Sequence, residues 1–277
     1  MPGNQGTLQQ QGCLGSYGNS KYLQQVKEGF NMIRAVVFDL DGTLIQTERL
    51  KAQSYARAAV ELAPEAVTEA DVLNAFEDFV GGSREEVTKG LLARFKLEEA
   101  AQKRMAEFSA SAPWQVLARL RLQIYEKIIS DEKTLEDAAW PHNLALVKQV
   151  RAASCQLGLA TMSHCPQVGR ALRALKLEGV FDFIATREDV ENPKPDPEIY
   201  LLVAKALGVA PHELAVIEDS VSGVRAALAA GAAVLAVATP LTRKQLHQSG
   251  ILDERFIVDG PQQLQEKMAN LLRQSPS

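Results

Sequence analysis

Hydrophobic residues in this chain fall into two alternating kinds of segment. Short, β-branched apolar runs are typical of buried strands, and the first of them is Ile33 to Phe38. Apolar residues at helical spacing fill most of the chain between such runs. The other predicted strands are Leu157 to Ala160, Phe183 to Ala185, Ala215 to Ile217, Val234 to Val237 and Phe256 to Val258. Strands that alternate with helices predict a doubly wound α/β fold with a mostly parallel sheet.

The alternation is interrupted between residues 47 and 135, where helical spacing continues and no alternating strand pattern occurs. Capping-box spacings at Thr68 and Ser83 mark the starts of two helices in this stretch. We therefore predict an all-α domain, residues 47–135, inserted into an α/β core made of residues 32–46 and 136–277.

The first 31 residues differ in composition from the rest of the chain. Gly, Gln, Asn and Ser dominate residues 1–20, so this stretch buries too little apolar surface to offset the entropy of ordering. It lacks the apolar core of a secretory signal. We predict that residues 1–31 form a disordered tail. Because Met32 directly precedes the first strand, one hypothesis is that the tail comes from an upstream start site.

Composition and charge exclude several classes of protein. A formal net charge of −4 disfavours a nucleic-acid-binding protein, which usually carries a basic surface. No apolar run reaches the roughly 18 to 20 residues that a membrane-spanning helix needs. Three cysteines without CxxC spacing indicate a reducing compartment rather than a disulfide scaffold. We expect a cytoplasmic monomer that acts on a small molecule.

The strongest chemical signal is the sequence DLDGT, which directly follows the first strand. Side chains two residues apart in a strand point the same way, so Asp39 and Asp41 project together from its carboxyl end. Ligands bind in the crevice at this end of a parallel sheet. Two neighbouring carboxylates repel unless a cation intervenes, and Mg²⁺ prefers carboxylate oxygens. A polar turn that merely ends the strand is the alternative interpretation.

Three further signals follow later strands. Thr161, with Ser163 nearby, could bind a phosphate oxygen or begin a helix. Lys194 lies in the segment NPKPDP, where flanking prolines restrict the backbone; a solvated lysine is the alternative. Glu218 and Asp219 could bind a metal ion or could complement a helix dipole.

The order of these groups resembles the haloacid dehalogenase superfamily of phosphotransferases, from Ile33 to near Gly260. The resemblance implies a Rossmann-like core with a small α-helical cap. Asp39 would be the nucleophile and Asp41 the general acid and base. Further roles implied by it are phosphate binding by Thr161, Ser163 and Lys194, and Mg²⁺ binding by Asp39, the Asp41 backbone carbonyl, Glu218 and Asp219.

The segment VGGSREE, residues 80–86, resembles the cap loop of β-phosphoglucomutase-like members. There an arginine grips a distal phosphate, which implies that role for Arg84, with Arg121 as a second basic contact. The alternative is that Ser83 and Glu86 cap a helix while Arg84 is solvated. The chain departs from the mutase at Lys51, where the mutase has a histidine, and at His164, where it has a lysine. Lys51 would contact substrate or be exposed.

Three functions remain open on sequence grounds. The first is a Mg²⁺-dependent phosphatase that acts on a small phosphate ester such as a sugar phosphate. The second is a β-phosphoglucomutase-type isomerase, for which the mutase-specific residues are incomplete. The third is a non-catalytic binding or regulatory protein on the same scaffold, which the complete set of acidic, hydroxyl and lysine groups disfavours.

Overall fold

The computed structural model of the protein describes residues 33–79 and 82–273. In this part of the chain, parallel strands form a sheet in the order β3-β2-β1-β4-β5-β6. Their bounds are β1 Ala35–Phe38, β2 Gln156–Ala160, β3 Phe183–Ala185, β4 Leu214–Glu218, β5 Ala233–Val237 and β6 Ile257–Val258. The predicted strands and the doubly wound parallel arrangement are confirmed. The predicted tail, residues 1–31, lies outside the described residues.

The central strand β1 is apolar throughout because helices cover both faces of the sheet. Val36 and Phe38 point into one hydrophobic core, and Ala35 and Val37 point into the other. This alternation follows from the two-residue period of a strand. β1 pairs with β2 on one side and with β4 on the other, so its carboxyl end lies beside theirs.

Helices flank the sheet and fill the long connection between β1 and β2. Within that connection lie α1 Thr47–Leu62, α2 Glu69–Phe76, α3 Arg84–Phe95, α4 Glu98–Lys103, α5 Pro113–Ser130, α6 Glu132–Asp137 and α7 Pro141–Ala152. The later helices are α8 Cys165–Ala174, α9 Glu198–Leu207, α10 Val221–Ala230, α11 Arg243–Ser249 and α12 Pro261–Arg273. No described helix combines the length and the apolar character that crossing a membrane requires.

Local sequence signals determine where several of these helices begin. Thr68 and Asp71 form a capping box at the start of α2, and Ser83 and Glu86 form another at the start of α3. Both predicted helix starts are therefore confirmed. The assignment of residues 47–135 to a separate cap domain stays a prediction.

The two chain segments that join the helical insert to the sheet run side by side. The Gln46 amide donates to the carbonyl of Ala138 at 2.7 Å, and the Trp140 amide donates to that of Leu44 at 2.9 Å. These bonds hold the insert over the carboxyl ends of β1, β2 and β4.

Candidate active site

A cavity of about 430 Å³ lies between the helical insert and the carboxyl ends of the strands. Five of the predicted core residues line it, namely Asp39, Asp41, Lys194, Glu218 and Asp219. They converge because β1 lies between β2 and β4. The loop between β3 and α9 brings Lys194 to the same edge.

Lys194 is at the centre of the core side of the site. Its side chain is only 6% exposed, and its ammonium donates to Asp39 Oδ1 at 2.8 Å, to Glu218 Oε1 at 2.7 Å and to the Ala160 carbonyl at 3.0 Å. Burial disfavours its charged form, but the two carboxylates outweigh burial and raise the pKa of Lys194 well above its usual value. The alternative of a solvated lysine is therefore wrong.

Asp39 is a buried carboxylate among other carboxylates. Burial raises its pKa to about 7, against the opposing effect of Lys194, and the negative charges of Glu218 and Asp41 add to the increase. One buried ammonium therefore does not neutralise this group of acids, and further positive charge is needed for all of them to ionise.

Asp219 marks where that charge would be bound. Its side chain is buried, burial and the charges of Glu218 and Asp39 raise its pKa well above its usual value, and no hydrogen bond from the described residues reaches its carboxylate. One oxygen from each of Asp39, Glu218 and Asp219 lies within 4.8 Å of the others. This unpartnered carboxylate in an all-oxygen group fits a hard cation such as Mg²⁺.

Gly42 leaves the space that Asp219 occupies. A Cβ at this position would lie 2.1 Å from Oδ2 of Asp219, and the backbone φ of +90° strains any other residue. The glycine of the DLDGT motif therefore leaves room for the Asp219 carboxylate near that of Asp39.

Asp41 differs from Asp39 in its hydrogen bonds. Its Oδ2 accepts from Ser163 Oγ at 2.6 Å and from Thr161 Oγ1 at 3.1 Å. Burial opposes ionisation, yet the ammonium of Lys51 and the Ser163 hydroxyl lower the pKa of Asp41 below its usual value. Thr161 caps no helix, since α8 begins only at Cys165, so the helix-start alternative for Thr161 is wrong.

The three basic residues predicted on the helical insert all line the cavity. The Lys51 ammonium donates to Glu48 Oε1 at 2.5 Å, and its side chain is 30% exposed. The alternative that Lys51 is simply an exposed lysine is therefore wrong. Arg84 reaches the cavity from the exposed start of α3.

Arg121 is the most buried of the three, at 6% exposure. Its guanidinium lies 4.7 Å from the ring centre of Tyr55 and 4.8 Å from that of Tyr125, and its Nε has no hydrogen-bond partner in the part of the chain that the structure describes. Stacking between two rings holds a cation rigidly and leaves its donors unused. Arg121 thus presents to the cavity a charge that no described carboxylate pairs with.

Sequence patterns did not reveal several residues of the site. Glu48 and Tyr55 lie one helical turn to either side of Lys51 on α1, and that spacing is the signal that could have found them. Phe76 and Phe79 also line the cavity. Their side chains are apolar, so no chemical signal in the sequence marked them as residues of the site. His164, as an exposed loop residue, pairs with Glu188 at 2.6 Å and does not line the cavity.

Comparisons with known proteins agree on one family. The family model of haloacid dehalogenase-like hydrolases matches residues 33–231. A phosphorylated carbohydrates phosphatase of Thermotoga maritima is 32% identical over 199 residues, covering 72% of this chain and 82% of the relative. A phosphoglycolate phosphatase of Shigella boydii is 29% identical over 205 residues, covering 73% of this chain and 80% of the relative. The crystal structure of a β-phosphoglucomutase from Clostridium difficile aligns with a TM-score of 0.57 at 25% identity, covering 87% of this chain and 100% of that one.

Proposed function

Since this chain belongs to the haloacid dehalogenase-like hydrolase family, we propose that it is a Mg²⁺-dependent phosphatase that hydrolyses a small phosphate ester, such as a sugar phosphate, through an aspartyl-phosphate intermediate. The observation that carries the proposal is the contact of Lys194 with Asp39 at 2.8 Å beside Asp41. A nucleophile, a phosphoryl-binding cation and an acid–base group then face one cavity. The predicted cytoplasmic location and monomeric state remain predictions.

Two aspartates divide the proposed chemistry between them. An oxygen of Asp39 attacks phosphorus, the bond to the ester oxygen breaks, and Asp41 gives a proton to the leaving oxygen. Because Lys51 and Ser163 favour the ionised form of Asp41 in the unliganded site, Asp41 first takes up this proton from solvent as the negatively charged substrate binds beside it. Water then attacks the phosphorus of the aspartyl phosphate, Asp41 takes a proton from that water, and the bond between phosphorus and Asp39 breaks. The Ser163 and Thr161 hydroxyls would orient Asp41 for both proton transfers.

Asp39 and Asp219 are the side chains that we propose hold Mg²⁺, with the Asp41 carbonyl and Glu218 as the further ligands that the resemblance implies. The buried and unpartnered Asp219 carboxylate supports this assignment. When bound, Mg²⁺ supplies positive charge that offsets the charge on the transferring phosphoryl oxygens. Lys194 adds a fixed positive charge on the same group. The resemblance implies phosphate binding by Thr161 and Ser163, whose hydroxyls donate to Asp41 in the unliganded site and would have to turn from it to reach a phosphate oxygen.

A second polar or anionic group on the substrate would bind to the helical insert. Arg121 and Arg84 face the cavity with guanidinium groups that contact no carboxylate among the described residues, whereas the charge of Lys51 acts on Asp41. The phosphatase relative that acts on phosphorylated carbohydrates supports a small, oxygen-rich substrate.

Arg121→Gln is expected to raise KM selectively for substrates with a second anion. A charge-assisted hydrogen bond stabilises by about 1.5 to 3 kcal/mol, which predicts a roughly 10- to 100-fold increase for phosphoglycolate or a sugar bisphosphate. p-Nitrophenyl phosphate has no second anion, so its KM should change less than about twofold. Steady-state kinetics on both kinds of substrate check the prediction, with Arg119→Gln as the control on the outer face of the same helix. Equal losses for both kinds of substrate would contradict it.

Phosphate release separates the proposed phosphatase from the mutase alternative. Lys51 stands where the mutase has a histidine, and its ammonium is bound to Glu48. This difference from the mutase favours transfer of the phosphoryl group to water. With β-glucose 1-phosphate, we expect inorganic phosphate and no glucose 6-phosphate, with or without added glucose 1,6-bisphosphate. Isomer formation that depends on the bisphosphate would favour the mutase. Neither product across a broad panel of phosphate esters would favour a non-catalytic binding protein.

A further inference from the structure

Tyr200 is a buried residue beside the active site to which the mechanism above assigns no role. We infer that Tyr200 is a positioning residue whose hydroxyl fixes Glu218, and through it holds the ammonium of Lys194 against Asp39. The inference rests on the proposed function only for its effect on turnover. The contacts of Tyr200 with Glu218 and Lys194 do not depend on the proposed function.

Tyr200 contacts both partners of the central ion pair. It is 0% exposed and lies in the first turn of α9, six residues after Lys194. Its hydroxyl donates to Glu218 Oε1 at 3.1 Å, and the Lys194 ammonium lies 5.0 Å from the centre of its ring. A single side chain thus supports the cation with its ring and the anion with its hydroxyl.

Five hydrogen-bond donors hold the carboxylate of Glu218 in place. Oε1 accepts from Lys194 and from Tyr200, whereas Oε2 accepts from the Asp219 amide at 2.9 Å and from the amide and hydroxyl of Ser220 at 2.9 and 3.0 Å. A carboxylate offers about four lone-pair positions, and five donors share them here. Glu218 is therefore an anchor for Lys194, in addition to the metal-binding role that the resemblance implies for it.

The backbone of Gly223 also lies against the carboxylate of Glu218. A Cβ at position 223 would lie 1.6 Å from Oε1 of Glu218, so the carboxylate fills the space that a side chain would need. Between Gly223 and Tyr200, Oε1 has one orientation, which points at Lys194. Removing the Tyr200 hydroxyl leaves Lys194 as the one donor to Oε1 among the described residues, so the position of Oε1, and with it one of the three acceptors of Lys194, is less firmly fixed.

Tyr200→Phe tests the inference because it removes one oxygen and keeps the ring. We expect kcat on p-nitrophenyl phosphate to fall about 10-fold, while KM and the affinity for Mg²⁺ alone, measured by calorimetry, change less than twofold. This split follows because Lys194 stabilises the transferring phosphoryl group more strongly in the transition state than in the bound substrate.

The ammonium of Lys194 gives a readout that does not depend on activity. Its three donors are all engaged inside the protein, so a distinct ¹H–¹⁵N signal is expected in lysine-labelled protein, assigned by its absence from Lys194→Arg. In Tyr200→Phe this signal should shift and broaden. An unchanged signal together with unchanged kcat would overturn the inference.

Val203→Ala is the matched control on the same helix. Val203 is buried and packs toward Gly158 of β2 rather than toward Glu218. The control should lower Tm by at least as much as Tyr200→Phe and leave kcat and the ammonium signal unchanged. If it changes both, loss of helix packing explains the result and the positioning role is wrong.

A double-variant cycle completes the test. If Tyr200 acts through Glu218, Tyr200→Phe should reduce kcat by less than twofold in a Glu218→Gln background. If the losses of kcat in the two single variants simply add in the double variant, Tyr200 does not act through Glu218 and the inference is wrong. Failure of the proposed phosphatase function would appear separately, as absent phosphate release from wild-type protein with the ammonium signal intact.

Discussion

Asp39→Asn is expected to abolish phosphatase turnover, with kcat reduced at least about 10⁴-fold. An amide oxygen is a far poorer nucleophile than a carboxylate, so no acyl phosphate forms. The Asn side chain keeps the size of Asp39 and can still accept a hydrogen bond from Lys194, which contacts Asp39 Oδ1 at 2.8 Å. Phosphate release measures turnover, and labelled substrate with a rapid acid quench measures the covalent phosphoprotein.

Asp137→Asn is the matched control for this prediction. Asp137 is exposed and pairs with Lys133 on the surface of α6, so the same chemical change there should leave turnover within about twofold of wild type. Near wild-type turnover by Asp39→Asn, or a phosphoprotein that still forms, would refute the proposed nucleophile.

Lys194→Met is expected to lower both stability and turnover. Without the ammonium, Asp39 and Glu218 remain as buried carboxylates that lack their cation. Breaking a buried pair on one side costs about 3 to 5 kcal/mol of unfolding free energy, and the loss of phosphoryl binding should reduce kcat about 10³-fold. Urea unfolding at pH 8 measures the stability, since protonation of Asp39 at lower pH would relieve part of the cost.

Mg²⁺ gives this prediction an internal check. If Asp39 and Asp219 hold the cation, added Mg²⁺ should restore part of the lost stability of Lys194→Met, because bound ligand stabilises the folded state. Lys205→Met, at an exposed position of α9, should change the free energy of unfolding by less than about 0.5 kcal/mol. Equal stabilities for the two variants would contradict a buried charge role for Lys194.

Local features of the sequence were sufficient to predict the strands and helices and the types of residue that form the site. Strands in a sheet that helices cover on both faces must be apolar on both sides, so their apolar runs can be recognised from the sequence alone. Helix starts at Thr68 and Ser83, and the start of α10 at Ser220, depend on hydrogen bonds within four residues. Asp39 and Asp41 were predictable as a pair because a strand places alternate side chains on one side.

The tertiary structure alone decided which distant groups meet. Lys194 and Glu218 are separated by 24 residues and form the central ion pair, and Arg121 lies between Tyr55 and Tyr125. Periodicity states which face of a helix is buried but not which neighbour covers it. Contacts between elements depend on the order of the strands and on how the insert packs over them. For that reason the chemistry was readable from single motifs, whereas the contacts that anchor Lys194 and the stacking of Arg121 between two tyrosines were not.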